Sequence, residues 1–139
     1  MANPAALRTG LANRMKSING LNAYARWPSQ PPNLPCAIVR RGIAEPEQVL
    51  GRGELTKWLF ELYLFTGLAA GYEQAQDNIN PFLATSSTGG VFGAIDADRT
   101  LGGAAITTFV KAFREDDQYD FAESISYPGT VFDVEVWAS

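Results

Sequence analysis

The sequence predicts an α+β domain: a mostly antiparallel β-sheet with an N-terminal helix and two central helices packed on one face, in the order αβββααββ. Three observations predict it. Period-two alternation marks strands, most clearly over residues 55–67 and 126–139, while Leu7, Leu11, Met15 and Ile18 recur at helical spacing. The strands come in runs broken by paired helices instead of alternating with them one by one, the pattern of α+β and not of βαβ units. At 139 residues, 46% of them hydrophobic, the chain suits one domain spanning 1–139 with one core.

The first helix has a readable start. Asn3 can cap it and Pro4 suits its first position, where the missing N–H costs nothing, and Asn19-Gly20 stops it. A short strand over 21–26 leads into "WPSQPPNLP" (27–35), whose four prolines predict an extended, stiff connector. "CAIVRRG" (36–42) is a compact strand. The glycine-punctuated segment 42–54, polar at both ends and holding Pro46, reads as a hairpin excursion or protruding loop.

"LTKWLFELYLFTG" (55–67) is the strongest strand. Trp58, Phe60, Leu62 and Leu64 form one face and Lys57, Leu59, Glu61, Tyr63 and Phe65 the other, and both are largely apolar. It is therefore expected to be central, covered by helices on one side and by something else, such as another subunit, on the other. Residues 71–83 suit a helix interrupted near Pro81, and 90–97 a short one capped from Ser86, Ser87 or Thr88. A strand at 105–114, an acidic loop at 115–124, a turn at Tyr127-Pro128-Gly129-Thr130 and a last strand complete the order.

Composition excludes more chemistry than any motif adds. Histidine is absent, which removes Ser-His-Asp and Cys-His nucleophile systems, His-ligated zinc and a His general base. A single cysteine, Cys36, permits no intrachain disulfide and reads as a buried small hydrophobe. No apolar run approaches a membrane span, and "MANPAALRTG" lacks a signal-peptide core, so a protein that is neither membrane-embedded nor exported by that route is expected. Charge is divided unevenly. Residues 1–57 carry eight Lys/Arg against three Glu, a balance of +5, and the remainder carries three basic against twelve acidic residues, a balance of −9.

The motifs that could carry chemistry fail one by one. Asp133 and Glu135 share a strand face roughly 7 Å apart, close enough for an acid/base pair, but alternating charge is also what a solvated or partner-facing strand looks like. The latter is the stronger reading. "EDDQYDFAE" spaces Asp116, Gln118 and Asp120 like a calcium loop but has Phe121 where the turn needs glycine. "STGGVFGAID" lacks the lysine and spacing of a phosphate loop, and "GRG" at 51–53 precedes a strand, the wrong context for phosphate.

The order of elements, with "INGLNAYARWP", the bridge "PPNLPCAIV", the lead-in "GRGE", "AIDADRTLGGA" and the closing "FDVEVWA", resembles the tail-terminator proteins, also called tail completion, minor tail or head-tail joining proteins, of long-tailed bacteriophages and related gene-transfer particles. The resemblance covers nearly the whole chain. It implies a non-enzymatic virion protein without a cofactor, assembled in the bacterial host cytoplasm. Its copies form a ring, typically hexameric, on the last ring of the tail tube, stop tube growth and dock the tail onto the head connector. Implied partners are other copies, the major tail tube protein, a connector or head completion protein and the tape measure protein, with DNA passing through the lumen unbound. In such a ring the charge asymmetry is expected to act between subunits, Arg40 and Arg41 or Arg52 facing Glu115, Asp116 and Asp117 of the next copy, while the arm 42–54, with Glu45, is expected to order on a neighbouring subunit or tube ring. Two alternatives stand beside it: a small carboxylate-using enzyme or ligand-binding domain built around Asp133, Glu135 and Tyr127, and a nucleic-acid-binding module using Arg40, Arg41 and Arg52.

Overall fold

The computed structural model describes residues 3–18, 20–30, 32–48, 54–66, 77, 80–83, 90–114, 117–122 and 125–138. It is an α+β fold built on a six-stranded, mixed but mostly antiparallel sheet. Helix α1 (Pro4–Lys16) starts as its sequence dictates: the Asn3 side chain accepts a hydrogen bond from Ala5 N at 3.0 Å, and Pro4 occupies the first turn. Its buried stripe of Leu7, Leu11 and Met15 lies on the sheet, and Gly20 at φ 81° turns the chain away.

Strands β1 (Asn22–Tyr24), β2 (Cys36–Gln48), β3 (Glu54–Phe65), β4 (Thr107–Phe113), β5 (Asp117–Ala122) and β6 (Ile125–Ala138) follow. The spatial order is β1-β2-β3-β6-β4, with β5 also on β6. Only β1–β2 is parallel; β2–β3, β3–β6, β4–β6 and β5–β6 are antiparallel. The proline-rich connector is tied to the sheet edge, with the Asn22 amide donating to the Asn33 and Pro35 carbonyls at 3.2 Å each. Strand β6 is thus central, with β3 along one side and β5 then β4 along the other.

The register confirms the two faces read from alternation. Phe60, Leu62 and Leu64 of β3 join Phe132, Val134 and Val136 of β6 and Ala37 and Val39 of β2 in one core, closed by α1 and by α2 (Val91–Asp96). Each of these side chains is almost fully buried, and truncating any one Leu or Phe to Ala would cost about 2–5 kcal/mol. Gly10 of α1 lies against Leu101: a Cβ there would stand 2.7 Å from Leu101 Cβ. Leu101 itself has φ 53°, unusual for a non-glycine residue.

Three expectations need correction. Of the two central helices, α2 forms and Asn80–Leu83 is a 3-10 turn; the rest of 71–79, apart from Asp77, lies outside the described residues, as do Ser86, Ser87 and Thr88. Over 42–54, read as a hairpin excursion or protruding loop, residues 42–48 extend β2 as a strand paired antiparallel with the start of β3, Pro46 opposite Thr56, a bulge between Arg41 and Ala44 absorbing the irregular sequence without ending the ladder, and 49–53 lie outside the described residues. The acidic stretch from Asp117 is strand β5, drawn into the sheet by Tyr119 and Phe121, which alternate onto an aromatic cluster. Tyr127-Pro128-Gly129-Thr130 runs straight through β6. The β3 ladder ends at Phe65 opposite Gly129, so Pro128, which lacks an N–H, stands just beyond it while its carbonyl accepts from Thr66 N at 2.9 Å.

Candidate functional site

The sheet face opposite the helices is divided. At one end, Cys36, Ile38, Phe65, Phe121 and Tyr127 form a second buried cluster. Trp27 closes it by stacking on Phe121 at 5.6 Å, meeting Tyr63 edge-on at 5.1 Å and donating from Nε1 to the Phe121 carbonyl at 2.9 Å. Burial pushes the Cys36 thiol up to about 12, against a lowering hydrogen bond from the Phe65 backbone. No helix among the described residues covers the other end.

That open half carries paired charges around apolar side chains. The register sets Glu61 of β3 directly opposite Asp133 of β6, two like charges that would repel on neighbouring strands. Arg114, one residue past β4, reaches back over both: its Nη2 donates to Glu61 Oε2 at 2.6 Å and to Asp133 Oδ1 at 3.1 Å. Burial opposes the guanidinium charge, but the bonds it donates to Asp133 and Glu61, with their negative charges, outweigh this and raise its pKa. Two strand positions along, Lys57 Nζ lies 3.7 Å from Glu135 Oε1 and 5.8 Å from the centre of the Trp137 ring. Half-buried Leu59, Phe109 and Trp137 share this face through the row Leu59–Glu135–Phe109 and the row Lys57–Trp137–Thr107. A groove of about 390 Å³ runs along it between β3 and the bulge of β4, with Leu59, Glu61, Lys111, Ala112, Arg114 and Asp133 on its walls.

The residues singled out from sequence fall as follows. Arg40 is exposed on this same face, its Nη1 donating to Tyr63 Oη at 3.5 Å and its guanidinium 6.0 Å from the Trp27 ring centre. Arg41 lies opposite Phe60 and Glu45 opposite Lys57 in the β2–β3 register, and Asp117 lies opposite Gly129 at the start of β5. Arg52, Glu115 and Asp116 lie outside the described residues. Asp133 and Glu135 do not act on a common point, since each is held by a different cation. Tyr127 sits in the aromatic cluster, 5.5 Å from Phe65 ring to ring and six strand positions from Asp133, roughly 20 Å away. Among the described residues no three of His, Cys, Asp and Glu gather as metal ligands would, and no described helix is long and apolar enough to cross a membrane.

No family model matches the chain. Nor does any curated protein compared with it.

Sequence reasoning missed Arg114 and Lys57, the cations that organise the face. Alternation placed Asp133 and Glu61 on their faces, but only the pairing of β3 with β6 makes them neighbours. That pairing joins residues 72 positions apart, so no local pattern announces it.

Proposed function

We propose that this chain is a structural protein of a long-tailed phage-type particle, forming a ring that caps the tail tube, ends its polymerisation and joins the tail to the head connector. The observation that carries the reading beyond the sequence resemblance is the open half of the sheet. Its three carboxylates, Glu61, Asp133 and Glu135, are each already engaged by a cation of the same chain, Glu61 and Asp133 sharing Arg114 and Glu135 meeting Lys57. An enzyme acid or base needs a carboxylate free to exchange protons with a substrate. A protein contact needs apolar area with its charges paired, because an unpaired charge is costly to bury. Leu59, Phe109 and Trp137 between closed ion pairs fit the second description.

On this reading the chain is a virion component at the head-tail junction. Its partners are its own copies, the tube protein, the connector or head completion protein and the tape measure protein, and DNA crosses the lumen without specific binding. Ring size and the surface that meets each partner are set by contacts between chains. Negative-stain electron microscopy of the purified protein tests the reading. Annular particles of uniform diameter support it; a featureless monomer that binds neither tubes nor connectors contradicts it.

A further inference from the structure

We propose that the copies of this protein join head to tail through their sheets, the free edge of β4 in one copy pairing with the free edge of β2 in the next. This rests on the ring reading above and names the surface that builds the ring. Among the described residues β4 has a strand neighbour only on its β6 side. Strand β2 is flanked by β1 only along Cys36–Ile38, so from Val39 to Gln48 its sole strand neighbour among the described residues is β3. Within the described residues two long edges are thus left without a strand partner, a template for pairing with another chain.

Direction and level make these two edges fit each other. Strand β3 runs against β2, β6 against β3, and β4 against β6. Strand β4 therefore runs against β2, and a second sheet laid beside the first in the same orientation places β2 next to β4 as an antiparallel pair. The alternation continues unbroken from copy to copy. The edges are also level, because the sheet's rows connect Arg40 through Glu61 and Asp133 to Ala112, and Glu45 through Lys57 and Trp137 to Thr107. The two free edges span the same rows.

Side chains at the β4 edge agree. The exposed large hydrophobic residues of the described chain, Ile106 at 56% and Phe113 at 45%, stand at the two ends of β4. Both edges carry a bulge, between Arg41 and Ala44 in β2 and between Val110 and Ala112 in β4. Bulges bend and twist the strand, so joined sheets curve and can close instead of growing as a flat fibre. A two-fold β4–β4 contact would also be antiparallel, but it would leave β2 uncovered and stop at a dimer.

Paired cysteines in the full chain test this. Within one copy, positions 45 and 107, or 40 and 112, are three strand spacings apart, about 14 Å. That exceeds the roughly 7 Å Cα separation a disulfide can span. A bond in Glu45→Cys/Thr107→Cys or in Arg40→Cys/Ala112→Cys therefore joins different copies. Mild oxidation of either double variant, or of one shifted by a residue or two to follow the stagger, should give a ladder on a non-reducing gel that runs past the dimer, while the single variants should not. Rings seen by microscopy without any ladder would overturn the edge pairing and leave the ring reading standing. A single Thr107→Cys or Ala112→Cys variant giving a dimer as the sole product would replace it with the two-fold contact. A chain that never assembles, alone or on tubes, would overturn both. Two pairs at opposite ends of the edges guard against one variant failing to fold.

Discussion

Gly129 of β6 passes so close to Leu64 of β3 that a Cβ on it would overlap the Leu64 carbonyl oxygen and crowd the Phe65 backbone. The glycine is needed there for lack of volume and not to make a turn. It lets β6 run on beside β3 where Pro128 has already removed a backbone donor. Gly129→Ala should therefore lower unfolding free energy by about 2 kcal/mol or more, since backbone cannot move aside as a side-chain tip can. Urea denaturation of the two proteins checks it; an unchanged midpoint would mean that β6 bends away from Leu64.

Arg114 bridges Glu61 and Asp133, and removing it leaves two carboxylates facing each other across strands. Arg114→Met should cost about 1 kcal/mol at low ionic strength and less in high salt, because the guanidinium is nearly half exposed. Glu61→Gln should then be less harmful, or even favourable, in the Met background. A double-mutant cycle that shows no coupling between the two positions would place the triad outside the stabilising interactions.

The turn after α2 is held by Asp98. Its carboxylate accepts from the Thr100 hydroxyl at 2.6 Å, from Gly102 N at 2.9 Å and from Thr100 N at 3.2 Å, and these bonds, led by the Thr100 hydroxyl, lower its pKa below 3.8. A depressed folded-state pKa gives a contribution to stability that is present above the unfolded value and lost as pH falls through the folded one. Asp98→Asn should therefore flatten the acid limb of the stability curve below about pH 4. Thermal melts of both proteins across that range measure it, and parallel acid limbs would contradict the assignment.

Much of this architecture was legible because local patterns and tertiary burial agree. The cap at Asn3, the stripe Leu7–Leu11–Met15 and the two faces of β3 each need only near neighbours in sequence. Errors fell where distant contacts override local signals. Pro128-Gly129 has the composition of a turn but is held extended by Leu64 and Thr66, more than 60 residues earlier. The stretch from Asp117 looks like a solvated loop until Trp27 and Tyr127 give Phe121 something to pack on. The open face was half legible: alternation showed β3 apolar on both sides, but the ion pairs depend on β3–β6 register, which alternation alone does not fix.

Cys36 is fully buried, and burial pushes its thiol up to about 12, so at pH 8 it holds almost no thiolate. A thiol reagent should label the native protein far more slowly than the same chain in denaturant, at least 100-fold by the thiolate fraction and access combined. Rapid native labelling would show that the cluster of Trp27, Phe65 and Phe121 opens readily. It would remove the reason to treat that end of the face as closed.

The central claim is that this chain ends a polymerising tube, and tube length measures it most directly. Tail tube protein is polymerised with and without the purified chain, and tube lengths and ends are scored by electron microscopy. The account predicts short tubes carrying an extra ring at one end, with mean length falling as the ratio of chain to tube protein rises, and no such effect from a chain whose β4 edge is blocked by Val110→Pro but which still folds. Tubes of unchanged length with bare ends at every ratio would contradict it.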